Sequence, residues 1–379
     1  MHRRKFLQMA AAAPAGVPLG LAATDHKLPE YRVVSRYPAA EKPGMPGAYP
    51  GQVVSVHAEK CIDTASDAPD AAVVSEMMSR GMRSLTGGKD HRDAWAQFVT
   101  PSDVVGIKVN CSGAPGIMSS PAVVAEIVRN LMEVGVPPDA IWIYERFQEQ
   151  VDSVHYDRHL PRGIHIWTAE HRRGSTESYD PATYVETTFF DEDDTRSNLI
   201  RLVGGRFTKI INVPNMKDHG AAGVTGCLKN IAYGSFSNVA RSHSGTVTNT
   251  YSFIGTLAAV EPLRSRTVLQ VMDGLRGVWH GGPFLFNRRY RFYPKRIMIG
   301  TDPVAIDRLL IDIIDEKRKA ENAVSVWDRS EKYLAGSDAH RNNPNANEFV
   351  REPGHIEYAA HLGLGVYDID KIKVTRLEV

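Results

Sequence analysis

Asp103-Val104-Val105-Gly106-Ile107-Lys108-Val109, then Ser120-Pro121, then Gly135 and Ala140-Ile141-Trp142-Ile143-Tyr144, are the stretches that decide the fold class. The first and last are short runs of β-branched and aromatic residues, the composition of buried strands. Between them Val124, Ile127, Leu131 and Met132 recur at helical spacing. Ser120 and Pro121 suit the cap and first turn of that helix, and Gly135 suits its stop. Strand, helix and strand over residues 103–144 make a βαβ unit, whose strands are parallel and whose crossover is right-handed.

The same grammar returns at residues 208–213, 267–272 and 296–300. The last run leads into Asp302-Pro303, a cap and first-turn pair for a helix that buries Val304, Ala305, Leu309, Leu310, Ile313 and Ile314. Upstream, Val53-Val54-Ser55-Val56 reads as a strand and residues 70–82 as a helix. The predicted class is α/β, a mostly parallel sheet or sheets with flanking helices in Rossmann-like βαβ units, two or three layers deep.

The 379 residues exceed the length of one average domain and leave ample chain for a core. Hydrophobic residues at 42% and charged residues at 23% exclude wholesale disorder and fibrous repeats. A net charge of +1 leaves no basic surface for nucleic acid or anionic lipid. Cys61, Cys111 and Cys227 are too few and too scattered for a disulfide framework, and no iron–sulfur cluster is expected from them.

Residues 1–23 read as a twin-arginine signal peptide: His2-Arg3-Arg4-Lys5-Phe6-Leu7-Gln8 precedes a mild apolar run ending in small residues near Ala22 and Ala23. The expected partner there is the twin-arginine translocase, and the expected destination is the periplasm or another exported location. That route carries folded proteins, often loaded with a cofactor. The run is too short to keep the mature chain in a bilayer. Residues 24–50, with Pro29, Pro38, Pro43, Pro46 and Pro50, read as a linker or a strap on the domain surface. Residues 51–379 form the α/β region, with residues 150–200 as a polar insertion. His155 and His159 share i,i+4 spacing there, but Pro161 and the lack of a nearby third ligand favour a solvated face over a metal site.

The segment richest in chemistry runs from Asn212 to Asn230: Asn212-Val213-Pro214-Asn215-Met216-Lys217-Asp218-His219-Gly220-Ala221-Ala222-Gly223-Val224-Thr225-Gly226-Cys227-Leu228-Lys229-Asn230. It follows a buried strand, and open α/β sheets bind ligands at the carboxyl ends of strands. His219 and Lys229 are the candidate catalytic pair, a proton donor or acceptor and a cation. Asp273, at another strand end, joins them as a candidate. Gly223 and Gly226 are expected to let the backbone approach a ligand, and Lys217 and Asn230 to bind a cofactor. Asn110 and Gly113 lie in the loop before the helix start at Pro121, a position suited to a carboxylate or phosphate. Asp302 and Asp307 read as structural, one a cap and one placed to suit a helix dipole. Cys227 reads as a small buried side chain.

The run Pro214 to Asn230, with Pro-x-x-Lys-x-His, Gly-Val-Thr-Gly and Leu-Lys-Asn, resembles the signature of the family called domain of unknown function 362. Further landmarks stand in order: residues 103–110, Met272-Asp273-Gly274, Gly281-Gly282-Pro283, residues 300–307 and Leu362-Gly363-Leu364-Gly365. The ten-residue separation of His219 and Lys229 also resembles the nickel-pincer lactate racemases, although Thr225-Gly226-Cys227 departs from their glycine-rich run. That resemblance implies a proton-transfer base at His219, a cofactor tether at Lys229 and a metal ligand at His243. The cofactor it implies is a metal ion or a nickel-containing organic group.

The expected protein is therefore an exported enzyme acting on a small anionic molecule, with a His/Lys site at the strand edge and racemase- or isomerase-like proton transfer. The alternative is a non-catalytic protein that binds a metal or small ligand.

Overall fold

In the computed structural model, which describes residues 28–336 and 338–379, most of the strands read from the sequence lie side by side in one central sheet. They are β1 (Gln52–His57), β2 (Val105–Lys108), β3 (Ile141–Phe147), β4 (His165–Glu170), β5 (Lys209–Asn212), β6 (Asn215–His219), β7 (Thr267–Val278), β8 (Arg296–Gly300) and β9 (Lys373–Glu378). Their order across the sheet is β9-β1-β8-β7-β5-β2-β3-β4. After Val213-Pro214, β6 continues the line of β5 along β7, so Asn212 pairs with Gln270 and Asn215 with Asp273.

The expected parallel core is present: β7, β5, β2, β3 and β4 all run the same way. β8 is antiparallel to both of its neighbours. The reason is the connection. Residues 279–295 carry no α-helix between β7 and β8, and a parallel pairing needs a long crossover, usually helical.

Successive residues of a strand point to opposite faces, and here both faces are covered. Val54, Ile211, Val271 and Ile297 pack into one core with Met78 of α1 (Ala71–Thr86) and with Ile127 and Leu131 of α2 (Pro121–Val134). Val53, Ile210, Met272 and Met298 pack into the other. Their partners there include Leu228 of α3 (Gly226–Tyr233), Phe253 of α4 (Thr250–Ala258), Leu310 of α5 (Pro303–Ala320) and Ile356 of α6 (His355–His361). The result is a three-layer α/β architecture.

The helix signals read at Asp302, Pro121 and Gly135 hold, with one exception at Ser120. Asp302 caps α5 with its carboxylate, Pro121 opens α2, and Gly135 ends it at φ 112°; Asp70, read only as the first residue of a helix, caps α1. The Ser120 side chain makes no capping bond; the Ser120 N–H instead donates to Asp273 Oδ2 at 2.6 Å.

Residues 28–50 lie along the fold, nearly all exposed or half-buried, with Arg32–Val34 paired antiparallel with Tyr179–Glu186 and Met45 fully buried in the core. One organisational expectation differs from the structure. Residues 150–200 are more than a polar insertion. β4 forms one edge of the central sheet, and Tyr179–Glu186 is the middle strand of a separate three-stranded sheet, flanked by Arg32–Val34 and Arg196–Ile200. The average polarity of the segment hid Tyr184, Val185, Leu199 and Ile200, which are buried between exposed and half-buried neighbours. His155 and His159 are exposed there. Residues 1–23, read as a signal peptide, lie outside the described residues. Among those residues no helix is long and apolar enough to cross a membrane.

Candidate functional site

Strand β6 delivers Lys217, Asp218 and His219, all buried, to the carboxyl edge of the parallel strands. The chain then turns through Gly223–Val224, which pairs back on β6, and enters α3. The start of α3 is pinned from another layer. Asp307 of α5 accepts the Cys227 N–H at 2.5 Å and the Leu228 N–H at 2.9 Å, satisfying two N–H groups that a helix start leaves free. Burial raises the Asp307 carboxyl to about 7.

The two glycines serve this packing. Gly226 has φ +58°, and a Cβ there would lie 2.2 Å from Asp307 Oδ1. Gly223 has φ +74°, and a Cβ there would stand 3.0 Å from that of Pro353. Neither lines the cavity beside them, so the expectation that they bring backbone against a ligand gives way to a structural role.

That cavity has a volume of about 600 Å³ and is walled by His219, Lys229, Asn230, Tyr233, His243 and Phe349, among others. Five of the residues singled out in the sequence therefore meet: Asn110, His219, Lys229, Asn230 and His243. The His219 and His243 rings are 5.3 Å apart. His219 Nδ1 accepts the Ala221 and Ala222 N–H groups, each at 3.2 Å, so the neutral ring carries its proton on Nε2. His243 has the opposite arrangement: Nδ1 donates to the Ala240 carbonyl at 3.2 Å, and Nε2 keeps its lone pair. Burial, reinforced by the Lys229 charge, holds His219 well below the usual histidine range and His243 at about 3. Both rings are neutral near pH 7. One is poised to donate and the other to accept.

Lys229 is 9% exposed, and its Nζ lies 4.5 Å from the centre of the Tyr233 ring. Among the described residues it has no ion pair and no hydrogen bond. Burial, with the nearby Arg146 charge, lowers it from 10.5 to about 7. Lys217 is lowered to about 7 as well, by burial and then by Lys229, but it has partners: Nζ donates to Asn110 Oδ1 at 2.6 Å and to the Ser112 carbonyl at 2.7 Å. Asn110 Nδ2 in turn donates to Asn230 Oδ1 at 2.9 Å. The two amides line the cavity, whereas Lys217 is fully buried behind them and lies outside its wall, so the expected cofactor contact gives way to its bonds with Asn110 and Ser112.

Two candidates fall elsewhere. Asp273 lies outside the cavity wall and is 1% exposed; its carboxylate accepts the Ser120 and Leu275 N–H groups, which ties α2 to β7. Burial raises it to about 6. The expected catalytic role gives way to that tether, because Asp273 lies inside β7, paired with Asn215 and Ile297, and not at the strand end where the sequence put it. Gly113, at φ 98°, lines a different cavity. Among the described residues no group of three or more His, Cys, Asp or Glu could hold a metal ion, so His243 lacks the protein donor set that a closed metal site requires.

Sequence reasoning missed Lys108 and Glu145, a buried pair at 2.8 Å on β2 and β3 in the cavity wall. The signal was available: a lysine between Ile107 and Val109 in a buried strand needs a paired anion. Tyr233, Phe284, Phe286 and Phe349 carried no signal, because aromatic residues near a helix end or in a loop look alike whether they line a cavity or a core.

The family described as Domain of unknown function (DUF362) matches residues 105–312, which hold β2, β6, α3 and every site residue named above except Phe349. No curated protein matches the chain. A Thermotoga maritima protein whose crystal structure was determined by the Northeast Structural Genomics Consortium aligns with a TM-score of 0.39 and 10% identity. The alignment covers 70% of this chain and 62% of that one, so it spans less than two thirds of that protein.

Proposed function

The chain belongs to the DUF362 family, and from that premise we propose that the cavity at the end of β6 is the active site of an enzyme that moves a proton on a small organic anion. The observation that carries this reading is Lys229. A buried amine without an anionic partner is held near neutrality, and a carboxylate or phosphate entering the cavity would stabilise its ammonium form and draw in a proton. The two histidines supply the rest. The His219 Nε2–H is suited to polarise a carbonyl or carboxylate oxygen, with Nδ1 fixed by two backbone N–H groups. The His243 Nε2 lone pair is suited to accept the substrate proton, and an anion beside it raises its basicity. Phe349 and Tyr233 cover the pair with apolar surface that keeps such charges strong.

The test is solvent exchange. Carboxylic acids with an acidic C–H are incubated with the protein in D2O, and loss of the C–H signal is followed by NMR. With a monocarboxylic acid as the probe, exchange is expected with the wild type, lost in His243→Ala with the anion still bound, and lost together with binding in Lys229→Met. Binding of that monocarboxylate by Lys229→Met as tight as by the wild type would overturn the reading.

We also propose export by the twin-arginine route, supported by the Arg3-Arg4 pair and the small-residue run behind it.

A further inference from the structure

The loop around Gly113, singled out in the sequence as a seat for an anion, opens onto a second cavity of about 800 Å³. Its walls include residues 113–116, the first turn of α2, Arg276 of β7, and Leu285, Arg288 and Arg291. It is separate from the His219 cavity, and the segment 283–288 stands between them. Phe284 and Phe286 line the first cavity, and Leu285 and Arg288 line the second.

The charges in this wall do not balance. Four arginines, Arg129, Arg276, Arg288 and Arg291, face two carboxylates, Asp67 and Glu126. Both carboxylates are committed. Asp67 holds Arg291 Nη1 at 2.6 Å and the Tyr293 hydroxyl at 2.6 Å, and Glu126 Oε2 accepts Arg129 Nε at 3.0 Å. Arg276 is left with poor partners although it is only 6% exposed. Its Nη2 donates to the Met118 thioether at 3.1 Å, its Nη1 reaches the Asp67 carbonyl at 3.4 Å, and the Asp67 carboxylate is 3.9 Å away. A thioether is a weak acceptor, and a guanidinium this buried ordinarily has strong ones. Arg288 is exposed, and its side chain has no ion pair or hydrogen bond among the described residues. The first turn of α2, with Pro121 and Ala122 in the wall, adds the positive end of a fourteen-residue helix.

We propose that this second cavity binds a small molecule carrying a doubly charged oxyanion group, a phosphate monoester or a dicarboxylate, with Arg276 and Arg288 as its two anchors. Two unmatched guanidiniums call for two negative charges, and their planar donor pairs suit the oxygen edges of such groups. The site is independent of the proton-transfer reading and stands or falls without it.

The experiment uses the full chain as Lys229→Met, which removes the cation of the first cavity, and titrates it calorimetrically with inorganic phosphate and, separately, with succinate. At least one is expected to bind at millimolar concentration, the tighter one distinguishing a tetrahedral from a planar ligand group. Arg288→Ala, at an exposed position that does not threaten folding, is expected to weaken that binding about tenfold. Arg276→Gln is expected to abolish it. Absence of binding by both probes, or binding that Arg288→Ala leaves unchanged, would overturn the proposal. If phosphate and succinate bind the wild type but neither binds Lys229→Met, their site is the first cavity and the proposal is overturned equally.

Discussion

Replacing Lys229 by methionine should stabilise the unliganded protein, because it keeps the length of the side chain and removes a charge that burial disfavours. The amine falls from 10.5 to about 7 on folding. At about 1.4 kcal/mol for each pH step, protonating it costs about 5 kcal/mol more in the folded protein than in the unfolded chain. The sign follows from proton counting. Between pH 7 and 10.5 the unfolded chain holds a proton that the folded protein has released, so this contribution to stability rises with pH across that window and is most unfavourable below pH 7. Allowing for relaxation and water entry, Lys229→Met should gain about 2 to 4 kcal/mol at pH 6.5. The gain should shrink by pH 10.5 to the packing difference, under about 1.5 kcal/mol. Urea unfolding at several pH values measures it, and Lys229→Arg, which retains the charge, should show no gain. A methionine variant less stable than the wild type at pH 6.5, or a difference that does not change with pH, would refute the argument that Lys229 is a buried amine awaiting an anion.

Anion affinity in the His219 cavity should fall about tenfold for each pH step above 7, since the ammonium form is the one that binds; calorimetric titration with acetate from pH 6 to 9 measures the slope. Gly226→Ala should destabilise by more than about 2 kcal/mol, because the new Cβ meets the Asp307 carboxylate at a positive φ, whereas Gly87→Ala, also at positive φ but with open space, should cost less; urea midpoints compare them. Asp307→Ala should cost about 1 to 3 kcal/mol by stranding the Cys227 and Leu228 N–H groups, and should lower anion affinity as α3 shifts Lys229. Changing Arg3 and Arg4 together to lysine should leave uncleaved chain in the cytoplasm, read by fractionation and intact mass; unchanged export would count against the signal peptide.

Local pattern was enough for the α/β class, the βαβ unit over residues 103–144 and the cap at Asp302, because strand runs, helical spacing and cap residues are properties of neighbours in the chain. The meeting of His219 and Lys229 was legible for the same reason: both lie on one segment that turns back on itself at a strand end. What tertiary structure alone decided were the long-range pairings. Asp307 lies about eighty positions from the helix start it pins, so its carboxylate read as a matter of its own helix, and Gly226, which makes room for it, read as a ligand contact. Asp273 looked like a cleft residue until α2 presented the Ser120 N–H to it. The roles of the two histidines depended on which ring nitrogen meets backbone, and the weak partners of the Arg276 guanidinium on which carboxylates had already been claimed. A sequence names the donors and acceptors, but which of them remain unsatisfied is known only once every other group has found its partner in space.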